Sequence, residues 1–214
     1  GLRRTIGIDY RYEDYIVSDT DQGVTNELVP YISWAKTSAD DPIYTKDGYR
    51  FKFSVQGALE GVVSDTSYLS ALASGKWIRS LGKDYRFITR GDLGATWADN
   101  VLDLPASRRF YAGGDNSIRG WGFDALGPND PATDDTVGGR FLAAGSLELE
   151  RRLRGDWSAA VFTDFGNAFD PDYSQEFEQS VGAGIHWRTP VGQVRVEVAY
   201  ALTKDPAGFR LHLI

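Results

Sequence analysis

Apolar and polar side chains alternate along most of this chain with a period of two. Over residues 2–13, Leu2, Ile6, Ile8, Tyr10 and Tyr12 face one way, and Arg3, Thr5, Asp9, Arg11 and Glu13 the other. Residues 24–36 repeat the pattern with Val24, Leu28, Ile32 and Trp34 on one face. Residues 49–60 are the clearest stretch: Tyr49, Phe51, Phe53, Val55 and Leu59 oppose Arg50, Lys52, Ser54, Gln56 and Glu60. Successive side chains of a strand point to opposite faces, so this alternation predicts strands with one apolar and one polar face. Further strands are predicted over 67–79, 84–96, 140–152, 157–168, 179–188, 193–203 and 208–214, giving ten antiparallel strands and an all-β chain. Those over 67–79 and 140–152 alternate less cleanly.

Strand length separates a membrane barrel from a soluble sandwich. Soluble strands run about 5–6 residues; most of these run ten or more, the length a tilted strand needs to cross a bilayer. Aromatics sit near the strand ends, as Tyr10, Tyr12, Trp34, Tyr49, Trp77, Trp157, Phe165, Trp187, Tyr200 and Phe209. Such residues form girdles at the two headgroup levels. A lipocalin-like or jelly-roll barrel would alternate too, with the apolar face inward. The connections favour the membrane barrel. One end has tight turns at Arg154-Gly155-Asp156, Thr189–Gly192 and Ser80–Lys83; the other has Tyr15–Gly23, Ala98–Gly139 and Asp170–Glu178. Short periplasmic turns and longer outer loops are the outer-membrane arrangement. The ten-residue connection Ser38–Asp47 is the exception on the tight side.

Composition narrows the function classes. A net charge of −7 supplies no basic stripe for phosphates, so no nucleic-acid partner is expected. The longest apolar run is Val198–Leu202, far short of the roughly 20 residues of a membrane helix. Cysteine is absent, which removes disulfides and thiolate metal sites and fits a periplasmic or outer-membrane address. With no methionine and a start at Gly1-Leu2 in mid-pattern, the chain reads as a mature piece or excised fragment. His186 and His212 fall on polar strand faces, in neither a nucleophile elbow nor a metal-spaced cluster. Gly113-Gly114 is not a phosphate loop, since no Lys-Ser/Thr follows. Asp130, Asp134 and Asp135 read as loose calcium ligands or, more often, a solvated loop. No catalytic residue, metal or cofactor is expected.

The connection Ala98–Gly139 is too long to be idle, because hairpin loops are usually two to five residues. It carries glycines at 113, 114, 120, 122, 127, 138 and 139, an aromatic cluster, and Arg119 between Ile118 and Gly120. On 140–152 the apolar face is Phe141, Leu147 and Leu149, which leaves Glu148 and Glu150 opposite. On 157–168 it is Trp157, Val161 and Phe165, which leaves Asp164 opposite. If apolar means lipid, Glu148 and Asp164 point into the lumen. An arginine at the tip of an infolded loop would find two carboxylates there and could bind them bidentately. Gly120 would let the backbone approach the wall, and Trp121 would pack over the contact. The plainer alternative is a solvated loop arginine. A partly wetted lumen would put the cost of losing Arg119 below the roughly 3–5 kcal/mol of a fully buried pair.

Arg119-Gly120-Trp121 resembles the Arg-Gly-aromatic signature of the inward-folding loop of the BamA/TamA superfamily of outer-membrane insertases. The longer stretch Pro105-Ala106-Ser107 through Gly114-Asp115-Asn116-Ser117 is most similar to the TamA branch. Thr45-Lys46-Asp47-Gly48-Tyr49, Gly145-Ser146-Leu147-Glu148, Phe162–Asn167 and Ser180–Gly192 resemble other parts of the family barrel. The resemblance implies a sixteen-stranded barrel preceded by POTRA domains, with the long loop between strands eleven and twelve. Residues 1–214 would then be one transmembrane β-barrel domain, its last ten strands, with POTRA domains and first strands absent. The implied function is assembly or insertion of outer-membrane proteins or autotransporters, without enzymatic activity, in the bacterial outer membrane. Implied partners are lipid, client β-barrels and an inner-membrane-anchored periplasmic protein reached through POTRA domains. The implied lateral seam involves Phe209, Leu211 and Leu213 of the last strand. A passive pore and the barrel tail of a patatin-like secreted esterase are the alternatives. Ten strands would either close by pairing 2–13 with 208–214 or leave two edges for another chain.

Overall fold

The computed structural model describes residues 1–61, 63–172, 174–203 and 208–214. Ten strands form one antiparallel sheet: β1 (Leu2–Ile16), β2 (Gln22–Ala39), β3 (Gly48–Ala58), β4 (Tyr68–Leu81), β5 (Tyr85–Trp97), β6 (Phe141–Arg152), β7 (Trp157–Phe169), β8 (Glu178–Thr189), β9 (Gly192–Ala201) and β10 (Phe209–Leu213). Sheet order equals chain order, so each strand bonds to its sequence neighbours. Every strand expected from alternation is present, and β1 and β2 run longer than their patterns suggested. Tyr173, within the Asp170–Glu178 connection, and residues 204–207 before β10 lie outside the described residues.

The faces are inside out relative to a soluble barrel. Ile6 and Ile8 are 67% exposed and Leu93 64%, while Glu27 is 1% exposed and Asp164, His186 and Glu197 are 0%. Burying charges while exposing aliphatic side chains is favourable only where the outer medium is itself apolar. Phe51, Phe53, Val161 and Leu211 all lie on this exposed face. Aromatic rings pair across it: Trp34 with Phe53 and Trp157 with Trp187, each at 5.8 Å between centroids, and Tyr200 with Phe209 at 4.7 Å. Each couple is a register pair, so the rings reinforce the ladder bonds beneath them.

The connections differ at the two ends, with tight ones at 82–84, 153–156 and 190–191 and long ones at 98–140 and 170–177. The exception on the tight side, 40–47, is internally bonded. Asp40 Oδ1 accepts from the amides of Asp41, Lys46 and Asp47. Asp41 takes the amides of Tyr44 and Ile43, which hold its carboxyl below the usual range. The turn thereby directs Tyr44 into the lumen.

The long connection takes part in two buried apolar clusters. Ala112, Ile118, Trp121 and Leu126 pack with Ala201 of β9, and Leu104 packs with Val29, Ala58 and Tyr68 of the opposite wall. Two short 3-10 turns, Val101–Asp103 and Ala106–Arg108, bend the chain between these clusters. The loop therefore spans the lumen and touches both sides of the curved sheet. The sheet does not close on itself: among the described residues β1 bonds only to β2 and β10 only to β9. The fifteen residues of β1 have no match in the five of β10, and the 2–13 to 208–214 pairing is not formed.

Candidate functional site

Arg119 stands at the tip of the infolded connection and is 1% exposed. Its Nε donates to Asp164 Oδ2 and its Nη2 to Asp164 Oδ1, both at 2.8 Å, a side-on bidentate pair. Nη1 donates to Glu148 Oε2 at 3.0 Å and to Glu197 Oε2 at 2.9 Å. The second Nη2 hydrogen reaches Ser146 Oγ at 3.1 Å. A guanidinium has five N–H donors in a fixed fork, and all five are used here. The Arg119 amide also donates to Asp164 Oδ2 at 3.0 Å, so backbone and side chain grip one carboxylate. Burial disfavours the charge, but Asp164, Glu197 and Glu148 outweigh it and raise the pKa above the ordinary arginine value.

The sequence explains this placement. Inward parity on β6 delivers Ser146, Glu148 and Glu150; on β7 it delivers Phe162 and Asp164. Gly120 lets the tip press against the wall, because a Cβ there would lie 2.7 Å from Ser180 Cβ and 3.0 Å from Ala201 Cα. Gly113, at φ +102, turns the loop where a Cβ would strike the carbonyl oxygen of Gly122 at 2.3 Å. The aromatic ring against Arg119 is Phe162, whose centroid is 3.3 Å from the guanidinium carbon. Trp121, expected over that contact, instead joins the apolar cluster with Ala112, Ile118, Leu126 and Ala201. An indole is better placed there, since the fork is already enclosed by carboxylates and Phe162.

A second shell of charge lies behind the first. His186 Nδ1 meets Glu150 Oε2 at 2.8 Å and Nε2 meets Glu197 Oε1 at 2.9 Å. Both ring nitrogens thus lie within hydrogen-bond distance of a carboxyl oxygen. Arg86 binds Glu150 with Nε at 3.1 Å and Nη2 at 2.9 Å, and lies over the Tyr44 ring at 3.8 Å. Tyr44 itself donates to Glu150 Oε1 at 2.8 Å. Arg90 lies 3.7 Å from Asp164. Five basic groups, Arg119, Arg86, Arg90, Arg195 and His186, thus meet four carboxylates, Asp164, Glu148, Glu150 and Glu197. Glu148, Glu150 and His186 bring ligand atoms within 4.8 Å of one another. Glu150, His186 and Glu148 Oε2 already face arginines or carboxylates, while Glu148 Oε1 is buried without a hydrogen-bond partner.

Alternation found Glu148 and Asp164, and the unusual connection found Arg119, but Glu197, His186, Phe162 and Arg86 were passed over as their partners. Parity does place Glu197 and His186 inward, between outward Val196 and Val198 and outward Ile185 and Trp187. What it lacks is the curvature that brings β9 across to the tip. The remaining sequence-derived positions, Phe209, Leu211 and Leu213, point outward from the edge strand and are 75%, 72% and 75% exposed.

The base of the same connection carries two more arginines. Arg109 pairs with Asp21 through Nη1 and, at 2.9 Å, Nη2, and also bonds the carbonyls of Leu104 and Val137. Arg108 Nε donates to Glu27 Oε2 at 2.8 Å, but Arg108 Nη2 and Glu27 Oε1 have no hydrogen-bond partner. Next to the tip lies a polar cavity of about 380 Å³ lined by Lys76, Arg86, Arg90, Glu148, Gln193 and Arg195. The larger grooves, about 620–740 Å³, are lined mainly by the apolar outer face.

Comparison with known proteins places this arrangement among relatives. The Omp85 superfamily domain matches residues 4–210. The chain is 25% identical over 224 residues to the outer membrane protein assembly factor BamA of Nitratidesulfovibrio vulgaris, covering 97% of this chain and 28% of that protein. It is 24% identical over 211 residues to BamA of Neisseria meningitidis serogroup B, covering 82% and 26%. Against BamA of Neorickettsia risticii, 36% of 112 residues are identical, over 47% of this chain and 15% of that one. The crystal structure of BamA from Haemophilus ducreyi lacking POTRA domains 1-3 superposes with a TM-score of 0.75 at 18% identity, over 92% of this chain and 44% of that chain. That likeness establishes the fold. The chain spans about a quarter of the length of the first two relatives.

Proposed function

The chain belongs to the Omp85 superfamily, and from that premise we propose that it serves the assembly and insertion of other proteins in the bacterial outer membrane. Residues 1–214 act as one transmembrane β-barrel domain, or the part of one that carries the infolded loop. The observation that carries the reading is the loop tip itself. Arg119 is held by carboxylates of three strands inside a barrel whose apolar face is turned outward. Nothing in that arrangement presents a nucleophile to a substrate. It fixes a plug against a wall.

Catalysis by such a domain is physical rather than covalent. An unpaired backbone group in lipid costs several kcal/mol, so an edge that can be exposed is a strong template for an incoming strand. Clients are then β-barrel proteins, lipid is the second partner, and no hydrolytic step is needed. POTRA domains elsewhere in the protein would supply a periplasmic partner. The stretch Pro105 through Ser117 favours the TamA branch, and with it autotransporters as clients. The passive-pore reading is weaker because the loop fills the lumen that conduction requires.

The test is depletion of the full-length protein from its own cell, following the outer-membrane abundance of other β-barrels and displayed autotransporter domains. A fall in either, restored by the wild type and not by Arg119→Ala, is expected. Unchanged clients after full depletion would overturn the proposal, and a large steady conductance of the purified protein would favour the pore.

A further inference from the structure

β10 is the shortest strand, five residues bonded to β9 alone. Its outward residues Phe209, Leu211 and Leu213 are about three-quarters exposed, so packing on that face does little to hold it. Its inward face differs. His212 is 6% exposed, and Nε2 donates to the carbonyl oxygen of Arg119 at 2.6 Å. Nδ1 of the same ring bonds the Asp115 carboxylate, four residues earlier in the loop. Two positions away, the Arg210 guanidinium lies against Gly122, where a Cβ would sit 3.0 Å from Nη2. Arg119 therefore holds four strands: its side chain fixes the tip to β6, β7 and β9, and its carbonyl receives β10.

We infer that His212 is a positioning residue that ties the edge strand β10 to the loop tip, so that release of the tip and release of the edge are one event. The imidazole suits this because its two ring nitrogens reach two partners from one rigid ring. An edge strand with five ladder pairs and one such tie opens more readily than its neighbours, and opening is gated by the loop. The physical coupling rests on geometry alone; its use, presenting an edge to a client strand, rests on the assembly reading above.

The experiment measures amide hydrogen exchange across the full-length protein in lipid vesicles, for wild type, His212→Leu, His212→Gln and Arg119→Ala. His212→Leu removes both hydrogen-bonding ring nitrogens at similar volume and should speed exchange of the β9-bonded amides of β10 and of residues 115–121 by about tenfold, leaving β6–β8 unchanged. His212→Gln restores one donor and should recover most of the protection. Arg119→Ala should speed exchange in β10 as well, although the residue changed is on the loop. Unchanged β10 exchange in either His212→Leu or Arg119→Ala overturns the coupling. In His212→Leu, loss of protection spread evenly over β6–β8 also overturns it, because His212 would then be only a packing residue. Failure of the assembly reading would show separately, as intact clients after depletion despite coupled exchange.

Discussion

The tip and the base of the long connection solve one problem with different completeness. At the tip, one arginine satisfies all five N–H groups on Asp164, Glu148, Glu197 and Ser146. At the base, Arg109 makes four such bonds, two to Asp21 and two to carbonyls, and Arg108 makes one charge-assisted bond and leaves Nη2 unmatched. The tip joins strands β6, β7 and β9; the base joins β2 and the β1–β2 turn. A buried charge that loses its partners is costly, while one that was poorly partnered gives up less. The comparison thus ranks three arginines of one loop by what each carboxylate would lose.

Removing the tip should do most damage. Arg119→Ala strands three buried carboxylates, and a loss of about 3–5 kcal/mol in loop docking is expected. Arg119→Lys should stay close to alanine, since an ammonium cannot fork onto Asp164 while reaching Glu148 and Glu197. The lumen around Arg119 is drier than sequence reasoning supposed, which moves the expected cost up into this range. Denaturant titration in lipid, with protease access to Ala98–Gly139, reads the effect. A double-mutant cycle with Asp164→Ala should show coupling of about 2–3 kcal/mol; strictly additive losses would break the tip side of the comparison.

How far the tip was legible follows from what parity can see. Alternation assigns each strand residue to a face, so Glu148 and Asp164 were found inward together with the ten strands themselves. The long, glycine-rich connection drew attention to Arg119, and the resemblance of Arg119-Gly120-Trp121 to the superfamily's loop signature decided between a lumenal anchor and a solvated arginine. Glu197, His186 and Phe162 stayed hidden because facing inward does not say which residues meet across the lumen. The base was less visible still. Arg108 and Arg109 sit in the same motif-bearing stretch, but Glu27 and Asp21 lie 81 and 88 residues earlier. Only curvature brings them near. Local pattern reaches local geometry, and the curvature of a sheet is not local.

At the base, Arg109→Ala should cost about 2–3 kcal/mol, the range of a hydrogen bond to a charged group with its orphaned partner. The damage should be local, with faster exchange in residues 17–21 and 104–109 and none in β6–β9. Disruption reaching β6–β9 would show that tip and base are one cooperative unit instead of two.

Arg108 and Glu27 make a sharper contrast. Arg108→Met alone should cost about 1–2 kcal/mol, because Glu27 is 1% exposed and would lose its one hydrogen-bonded partner. Changing both, Arg108→Met with Glu27→Leu, should bring stability back to near or above wild type, since an imperfect buried pair is often replaceable by apolar residues. The neighbouring Val29, Ala58, Tyr68 and Leu104 already form an apolar surround. A double variant worse than both singles would mean the pair is as well matched as the tip.

The smallest effect belongs to the outer rim, where Asp130 receives the hydroxyls of Thr20 and, at 2.7 Å, Ser18, and the Ala132 amide at 2.8 Å. The Thr20 hydroxyl leads these donors in holding its carboxyl below the ordinary aspartate range. A carboxyl with a depressed folded pKa favours the docked state fully above its unfolded value, near about 4. That contribution is lost as pH falls through the folded value. Between pH 7 and 5 the contact of Asp130 with the β1–β2 turn should therefore be insensitive to pH. Below about pH 4 exchange in residues 18–21 and 130–136 should rise, before any change at Arg119. Asp130→Asn should flatten this dependence, because an amide does not titrate, while its carbonyl oxygen can still accept from Ser18. An acid-induced rise that persists in Asp130→Asn would place the sensitive carboxylate elsewhere and break the rim's place in the ranking.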